Sequence, residues 1–246
     1  MTRLENRTVI VTGAAQGMGA AVAERCRQEG ANLVLVDREP VVEDVARRVD
    51  GIAFVGDVTS ERLATEVVAA ALDQPGTLWG LANVAGIHSA GDATSTTDDD
   101  WERLISVNLT APRLWSRAVV PHLLEGGGGS IVIVTSINGS YARPNSLGYT
   151  ASKTGALGLV RSLAVDYGRE GVRTNSISPG SVETPMLLAA MERAPHIRDE
   201  QLERTYSLRI GLPEDIAAGC AFLLSDDAAF VNGADLRIDG GRTAGI

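Results

Sequence analysis

Residues 7–30, RTVIVTGAAQGMGAAVAERCRQEG, restrict the fold more than any other stretch of the chain. A run of β-branched residues stops at Gly13, glycines follow at 17 and 19, and an amphipathic segment begins at once and ends at Gly30. That is a strand turned directly into a helix. Glycine permits the tight turn and lets backbone approach a ligand closely, while the helix N-terminus offers unpaired amide donors and partial positive charge. The combination suits a pyrophosphate.

The same alternation continues along the chain. NLVLVD, GIAFVGDV, LWGLANVAG, SIVIVTS and VRTNSISPG read as strands two to six, with DLRID as a short seventh. Helical patterns lie between them: PVVEDVARRV, SERLATEVVAAAL, the long TDDDWERLISVNLTAPRLWSRAVVPHLL, and the segment holding Tyr149. The early strands are almost unbroken Val, Ile and Leu, as expected when both faces of a parallel sheet are covered. The predicted fold is therefore α/β, a Rossmann-like doubly wound parallel sheet of seven strands in one domain spanning residues 1–246. GGGGS at 126–130 reads as a turn ending the long helix, and TDDDWE at 97–102 as a helix start whose carboxylates suit the dipole, not as a metal site. Residues 182–210, interrupted by Pro185 and Pro195, follow a strand end where ligands bind in open α/β sheets and are predicted to form a substrate lid.

Composition removes several classes of function. A formal net charge of −9 without a basic stretch argues against nucleic acid and anionic membrane partners. No run reaches the length of a membrane helix, and the N-terminal residues lack a signal-peptide core, so the expectation is a cytoplasmic chain. Cys26 and Cys220 read as reduced packing residues.

Asp37 ends strand two, 18 residues beyond Gly19. A carboxylate there accepts hydrogen bonds from ribose hydroxyls and repels a 2′-phosphate, which favours NAD over NADP. Arg38, next in sequence, is the one residue placed to argue the other way.

The glycine spacing, Thr-Gly-x-x-x-Gly-x-Gly, resembles that of the classical short-chain dehydrogenases/reductases, and the resemblance covers nearly the whole chain. NVAG at 83–86, Asn108 in SVNLTAP, Ser136 placed 13 residues before Tyr149, YTASK at 149–153, SPGSVETPM and FVNGADLRIDGG follow in the family's order. One position departs from its pattern, Val84, where the family has a second Asn. The resemblance implies strand order 3-2-1-4-5-6-7, nicotinamide chemistry without metal, and a homotetramer built partly from the Asn108 and Tyr149 helices. It places Gly13, Gln16, Gly17, Met18, Gly19, Asp37, Asp57, Val58, Asn83, Ala85, Gly86, Pro179, Gly180, Val182 and Thr184 against the cofactor, with Tyr149 and Lys153.

The chemistry fits those residue types. An alcohol gives up hydride only as its hydroxyl proton leaves, so a base is needed near the oxygen. A tyrosine is a poor base at neutral pH unless nearby positive charge favours the phenolate. Tyr149 and Lys153 are i and i+4, on one helix face. The expected roles are Tyr149 as acid/base, Lys153 tuning it and binding the nicotinamide ribose, Ser136 bonding the substrate oxygen, and Asn108 holding a relay water. His88, Asn138, Tyr141, Leu147, Met186 and Tyr206 are the substrate-pocket candidates. The Leu, Met and Tyr among them suggest a moderately apolar substrate such as a cyclic or terpenoid alcohol, steroid or hydrophobic ketone. The expected activity is NAD-dependent interconversion of a secondary alcohol and a ketone. The alternatives are an NADPH-dependent 3-oxoacyl-[acyl-carrier-protein] reductase and, more remotely, a non-catalytic dinucleotide sensor or scaffold.

Overall fold

The computed structural model describes residues 2–245; the side chain of Met186 also lies outside the described residues. Seven strands form one parallel sheet: β1 (Arg7–Thr12), β2 (Asn32–Asp37), β3 (Ile52–Val55), β4 (Thr77–Asn83), β5 (Gly129–Val134), β6 (Val172–Pro179) and β7 (Asp235–Ile238). Their order is β3-β2-β1-β4-β5-β6-β7, as the sequence predicts. The order reverses between β1 and β4, and the crevice at the carboxyl ends of those strands is where such sheets bind ligands.

The unbroken apolar runs are explained by two cores. Val9 and Val11 of β1 face one layer, with Leu33, Leu35, Val22, Cys26, Ile216 and Cys220; Ile10 faces the other, with Val34, Val36, Leu81, Val67 and Trp115. Helices α1 (Gly17–Gln28), α2 (Val42–Val49) and α9 (Pro213–Leu224) cover the first face. Helices α3 (Glu61–Leu72), α5 (Ala111–Glu125) and α6 (Leu147–Tyr167) cover the second. Each fully buried aliphatic or aromatic side chain here contributes roughly 1.5–3 kcal/mol from burial. Both cysteines are free and fully buried, and burial pushes the Cys26 thiol up to about 12. Among the described residues no helix is long and apolar enough to cross a membrane.

Capping sets several boundaries. The Ser60 hydroxyl accepts from the Leu63 amide at 3.2 Å at the start of α3. The Thr97 hydroxyl accepts from the Asp100 amide at 3.1 Å, opening α4 (Asp98–Ile105) with the acidic run in its first turn. GGGGS forms the expected turn: Gly127 and Gly128 have φ of 84° and 134°, and Gly129 already belongs to β5.

The long helix needs a correction. It is helical throughout, but Ser106–Thr110 form a π-helical turn between α4 and α5. Pro112 sits four residues after Asn108 and has no N–H to give the Asn108 carbonyl its α-helical bond. π turns of this kind concentrate at functional sites. The 182–210 segment holds α7 (Pro185–Arg193) and α8 (His196–Glu203), and no described residue of α8 is buried.

Candidate active site

At the carboxyl ends of β1, β2, β4, β5 and β6 lies a cleft of about 730 Å³. Its β1 side is backbone-built. Gly13 and Gly17 have φ of 69° and 55°. A Cβ on Gly19 would fall 1.9 Å from the Gly13 carbonyl oxygen, and one on Gly13 would meet Ala85 Cα at 2.6 Å, so neither position admits a side chain. The first turn of α1 has no acidic residue and no side-chain cap. Its amides are thus left for an anion.

Asp37 reaches this loop. Its carboxylate accepts from the Ala15 amide at 3.0 Å and from the Glu39 amide at 3.1 Å, and it lines the cleft. Arg38 is engaged by Glu39 at 3.2 Å, and Glu39 brings a second carboxylate to the same wall. Asp57 lines the cleft too, with its carboxylate held by Thr59. Of the other expected cofactor contacts, Gln16, Gly17, Met18, Val58, Ala85, Gly86, Pro179, Gly180, Val182 and Thr184 line the cleft. Asn83 does not; it is buried at the end of β4, behind the wall. The residues fit a dinucleotide: a cradle that Cβ atoms would fill, bare helix amides, and a carboxylate at the end of β2 in the same cleft.

Asn108, Ser136, Tyr149 and Lys153 converge at the far end. The Asn108 side chain clasps the loop after β4: its Oδ1 accepts from the Ile87 amide at 2.9 Å, and its Nδ2 donates to the Ile87 carbonyl at 3.0 Å and to Ser152 Oγ at 3.1 Å. The side-chain amide is so occupied, and Pro112 offers the Asn108 carbonyl no α-helical N–H. A Cβ on Gly86 would lie 3.3 Å from both Asn108 Oδ1 and Lys153 Nζ, so the glycine leaves the space between them open. Lys153 is 4% exposed and donates to the Val134 carbonyl at 3.0 Å. Its ammonium lies 5.8 Å from the Tyr149 ring centre. Ser136 Oγ accepts from the Asn138 amide at 3.1 Å and lines the cleft.

Burial dominates the titration of this group. It pushes the Lys153 ammonium down to about 8 and raises the Tyr149 phenol, which the Ser136 hydroxyl and the charge of Arg143 partly offset.

The substrate-pocket expectations divide. His88 and Asn138 line the cleft, and the His88 ring meets Tyr149 edge-on at 4.9 Å between ring centres. Arg143 Nη2 donates to His88 Nε2 at 3.0 Å, which fixes the proton of the neutral ring on Nδ1, and burial then Arg143 hold the imidazole below its ordinary value. Three others lie elsewhere. Tyr141 turns outward, its hydroxyl accepting from Arg237 at 3.0 Å. Leu147 lines a separate surface hollow beside Trp101. Tyr206 is 75% exposed and packs on the C-terminal glycines. The Met186 side chain falls outside the described residues. Sequence reasoning passed over Arg143, Gln201, Arg204 and Arg242, which do line the cleft. Gln201 lies in α8, within the interrupted 182–210 segment, and the three arginines stand in irregular segments with no periodic signal.

A family model described as enoyl-(acyl carrier protein) reductase matches residues 13–243. Meso-2,3-butanediol dehydrogenase of Serratia marcescens is 38% identical, over 98% of this chain and 96% of its own. Levodione reductase of Leifsonia aquatica is 36% identical over 99% and 96%. A crystal structure of levodione reductase superposes with a TM-score of 0.93 at 33% identity, covering 99% of this chain and 100% of that one. A gluconate 5-dehydrogenase from Burkholderia cenocepacia J2315, in complex with NADP and tartrate, gives a TM-score of 0.92 at 29% identity over 100% and 98%.

Proposed function

The chain belongs to the short-chain dehydrogenase/reductase family, and from that premise we propose that it uses NAD, with Tyr149 as its acid/base. The enzyme is an oxidoreductase that interconverts a secondary alcohol and a ketone with a nicotinamide dinucleotide. The observation that carries the choice of NAD is the Asp37 carboxylate, anchored by two amides at the adenosine end of the cleft with Glu39 beside it. Two negative charges there oppose a 2′-phosphate, while Arg38 is drawn off by Glu39.

The nicotinamide, when bound, accepts or delivers the hydride. The chain's own residues handle the proton. The glycine loop and the α1 amides hold the pyrophosphate; Asp37 and Asp57 hold the adenosine end; Lys153 bonds the nicotinamide ribose. Ser136 donates to the substrate oxygen and steadies the charge that develops on it. Tyr149 takes the hydroxyl proton in oxidation and returns it in reduction. Lys153 and the free carbonyl of Asn108 lead that proton to solvent through a bound water. Residues 182–210 act as the substrate lid: Glu183 is tied to Gly211 by backbone, and Gln201 to Ser181 by side chain. We also infer a cytoplasmic homotetramer in which α4–α5 and α6 meet their partners, supported by the outward apolar Val165 of α6, which is 80% exposed.

The test is a panel of secondary alcohols offered with NAD and with NADP, read as nicotinamide absorbance. Turnover with NAD at higher kcat/KM is the expected result. A strong preference for NADP would favour the rival, a 3-oxoacyl-[acyl-carrier-protein] reductase.

A further inference from the structure

Three arginines from three different segments face the Tyr149 end of the cleft: Arg143 from the loop before α6, Arg204 just after α8, and Arg242 from the C-terminal segment. Two cations of the lid and its surroundings have carboxylate partners, whereas Arg193, among the described residues, bonds only the Ala189 carbonyl. Arg198 pairs with Glu183 at 3.5 Å and Arg209 with Asp215 at 2.6 Å. Among the described residues, no carboxylate comes within 4.0 Å of the guanidinium of Arg143, Arg204 or Arg242. Arg242 instead donates to Ser181 Oγ at 2.8 Å and Gln201 Oε1 at 3.0 Å, neutral partners that aim it without neutralising it. The carboxylate that attracts Arg242 is Asp239, whose oxygens are already taken by Gly241 and Thr243. Glu200 also lines the cleft and forms no ion pair with the three.

Such a wall has a cost that demands a reason. Burial depresses the Arg242 guanidinium, and repulsion from Arg204 and Arg143 adds to it. A half-buried cation beside two others raises the free energy of the free protein until a counter-charge arrives. Proton and hydride transfer need no such charge beyond the catalytic group. Guanidinium forks match planar or tetrahedral oxyanions, bidentate and charge-assisted.

We propose that this wall binds an oxyanion carried by the substrate itself, so that the alcohol oxidised is an anionic one: a hydroxy carboxylate, sulfonate or phosphate. Arg242, aimed by Ser181 and Gln201, and Arg204 grip the headgroup; Arg143, braced on His88, faces the carbinol side next to Tyr149. This rests on the alcohol-dehydrogenase reading above, and it adds a charged headgroup to the moderately apolar substrate that the Leu, Met and Tyr candidates suggested.

The experiment uses the full chain saturated with NAD. 3-Hydroxybutanoate, 4-hydroxypentanoate and 5-hydroxyhexanoate are compared with their methyl esters, and with sulfonate and phosphate analogues of the same chains. Binding is followed by calorimetry beside turnover. At least one anion is expected to exceed its ester in kcat/KM by about 10- to 100-fold, and the ratio to fall towards one in Arg204→Gln and Arg242→Gln. Arg204 is exposed, so its replacement keeps the test independent of folding. Esters used as well as every anion would overturn the proposal while leaving the dehydrogenase reading intact. Anions that bind the NAD-saturated protein through Arg204 and Arg242, with no alcohol of either series turned over, would uphold the anion site and count against the dehydrogenase reading. Anion binding abolished by saturating NAD would overturn the proposal, by giving the arginines to the cofactor's phosphates.

Discussion

At the glycine-loop end of the cleft, position is set by backbone; at the lid end, it is set by side chains. Gly13, Gly17 and Gly19 are fixed by contacts as close as 1.9 Å that a Cβ would make, and Asp37 by two amides. At the lid end backbone bonds hold only the base of the segment, Glu183 to Gly211 and Gly211 to Ser181, while Gln201 and Arg242 are placed by single side-chain links, around an α8 with no buried residue among those described. The first arrangement is rigid and serves one ligand shared across the family. The second has the few buried contacts expected of segments that open locally. Tyr149 and Lys153 stand at the junction.

The sharpest break in the comparison is at that junction. Tyr149→Phe removes the acid/base and nothing that the glycine loop uses. We expect kcat to fall about a thousandfold while NAD affinity stays within a few-fold. Stopped-flow turnover and a fluorescence titration with NADH check both halves. Near-normal turnover would end the assignment of Tyr149, and lost NADH binding would show that the two ends are not separable. In the wild type, a raised phenol acting as the base should make alcohol oxidation climb with pH above neutrality, which a pH–rate profile checks.

Lys153 gives the next effect. Its ammonium is held at about 8 by burial, below the ordinary 10.5, so the charged form is disfavoured in the folded enzyme. Because the folded value is depressed, this destabilisation is full below about pH 8 and disappears as pH rises to 10.5. The shift corresponds to about 3 kcal/mol, less about 1 kcal/mol for the Val134 carbonyl that would lose its donor. Lys153→Met should thus be inactive yet about 2 kcal/mol more stable at pH 7 without cofactor, the gain vanishing near pH 10. Urea unfolding at the two pH values measures it. A destabilised variant at pH 7 would mean that the ammonium is better solvated than its burial implies.

Asp37→Ser probes the rigid end alone. Loss of one of the two carboxylates facing a 2′-phosphate should shift the NADPH-to-NADH ratio of kcat/KM upward on the order of tenfold. Glu39 remains, so the preference should weaken without inverting. An unchanged ratio would transfer cofactor choice from Asp37 to Glu39.

What the sequence made readable follows the same divide. The central strands were the most readable, because burial on both faces leaves an apolar run, as in RTVIVT, whereas β3 and β7 are only partly buried and β6 is largely polar. Order and spacing gave the tetrad, because Tyr149 and Lys153 share one helix face. The π turn at Ser106–Thr110 was missed, although Pro112 four residues after Asn108 was its signal. Arg143, Arg204 and Arg242 were invisible: each sits in an irregular segment, and only the folded chain brings three positions so far apart in sequence to one wall. Tyr141 and Leu147 show the opposite error. They are near Tyr149 in sequence, but the loop into α6 turns one outward to Arg237 and the other into a hollow beside Trp101.

Tyr206 draws the boundary of the lid end most finely, and here the expected effect is smallest. Arg204 faces the cleft, whereas Tyr206, two residues on, points away. Its ring packs where a Cβ on Gly245 would lie 2.5 Å from its hydroxyl, and its amide donates to the Gly240 carbonyl at 2.9 Å. Tyr206→Ala keeps that amide bond and loses only the ring. It should change kcat/KM less than about twofold, within the ±0.5 kcal/mol usual for exposed positions. Steady-state kinetics beside Arg204→Gln make the contrast. If Tyr206→Ala cripples turnover while leaving NADH affinity intact, the lid must fold further over the cleft during the reaction, and the division between substrate wall and outer surface lies beyond residue 206.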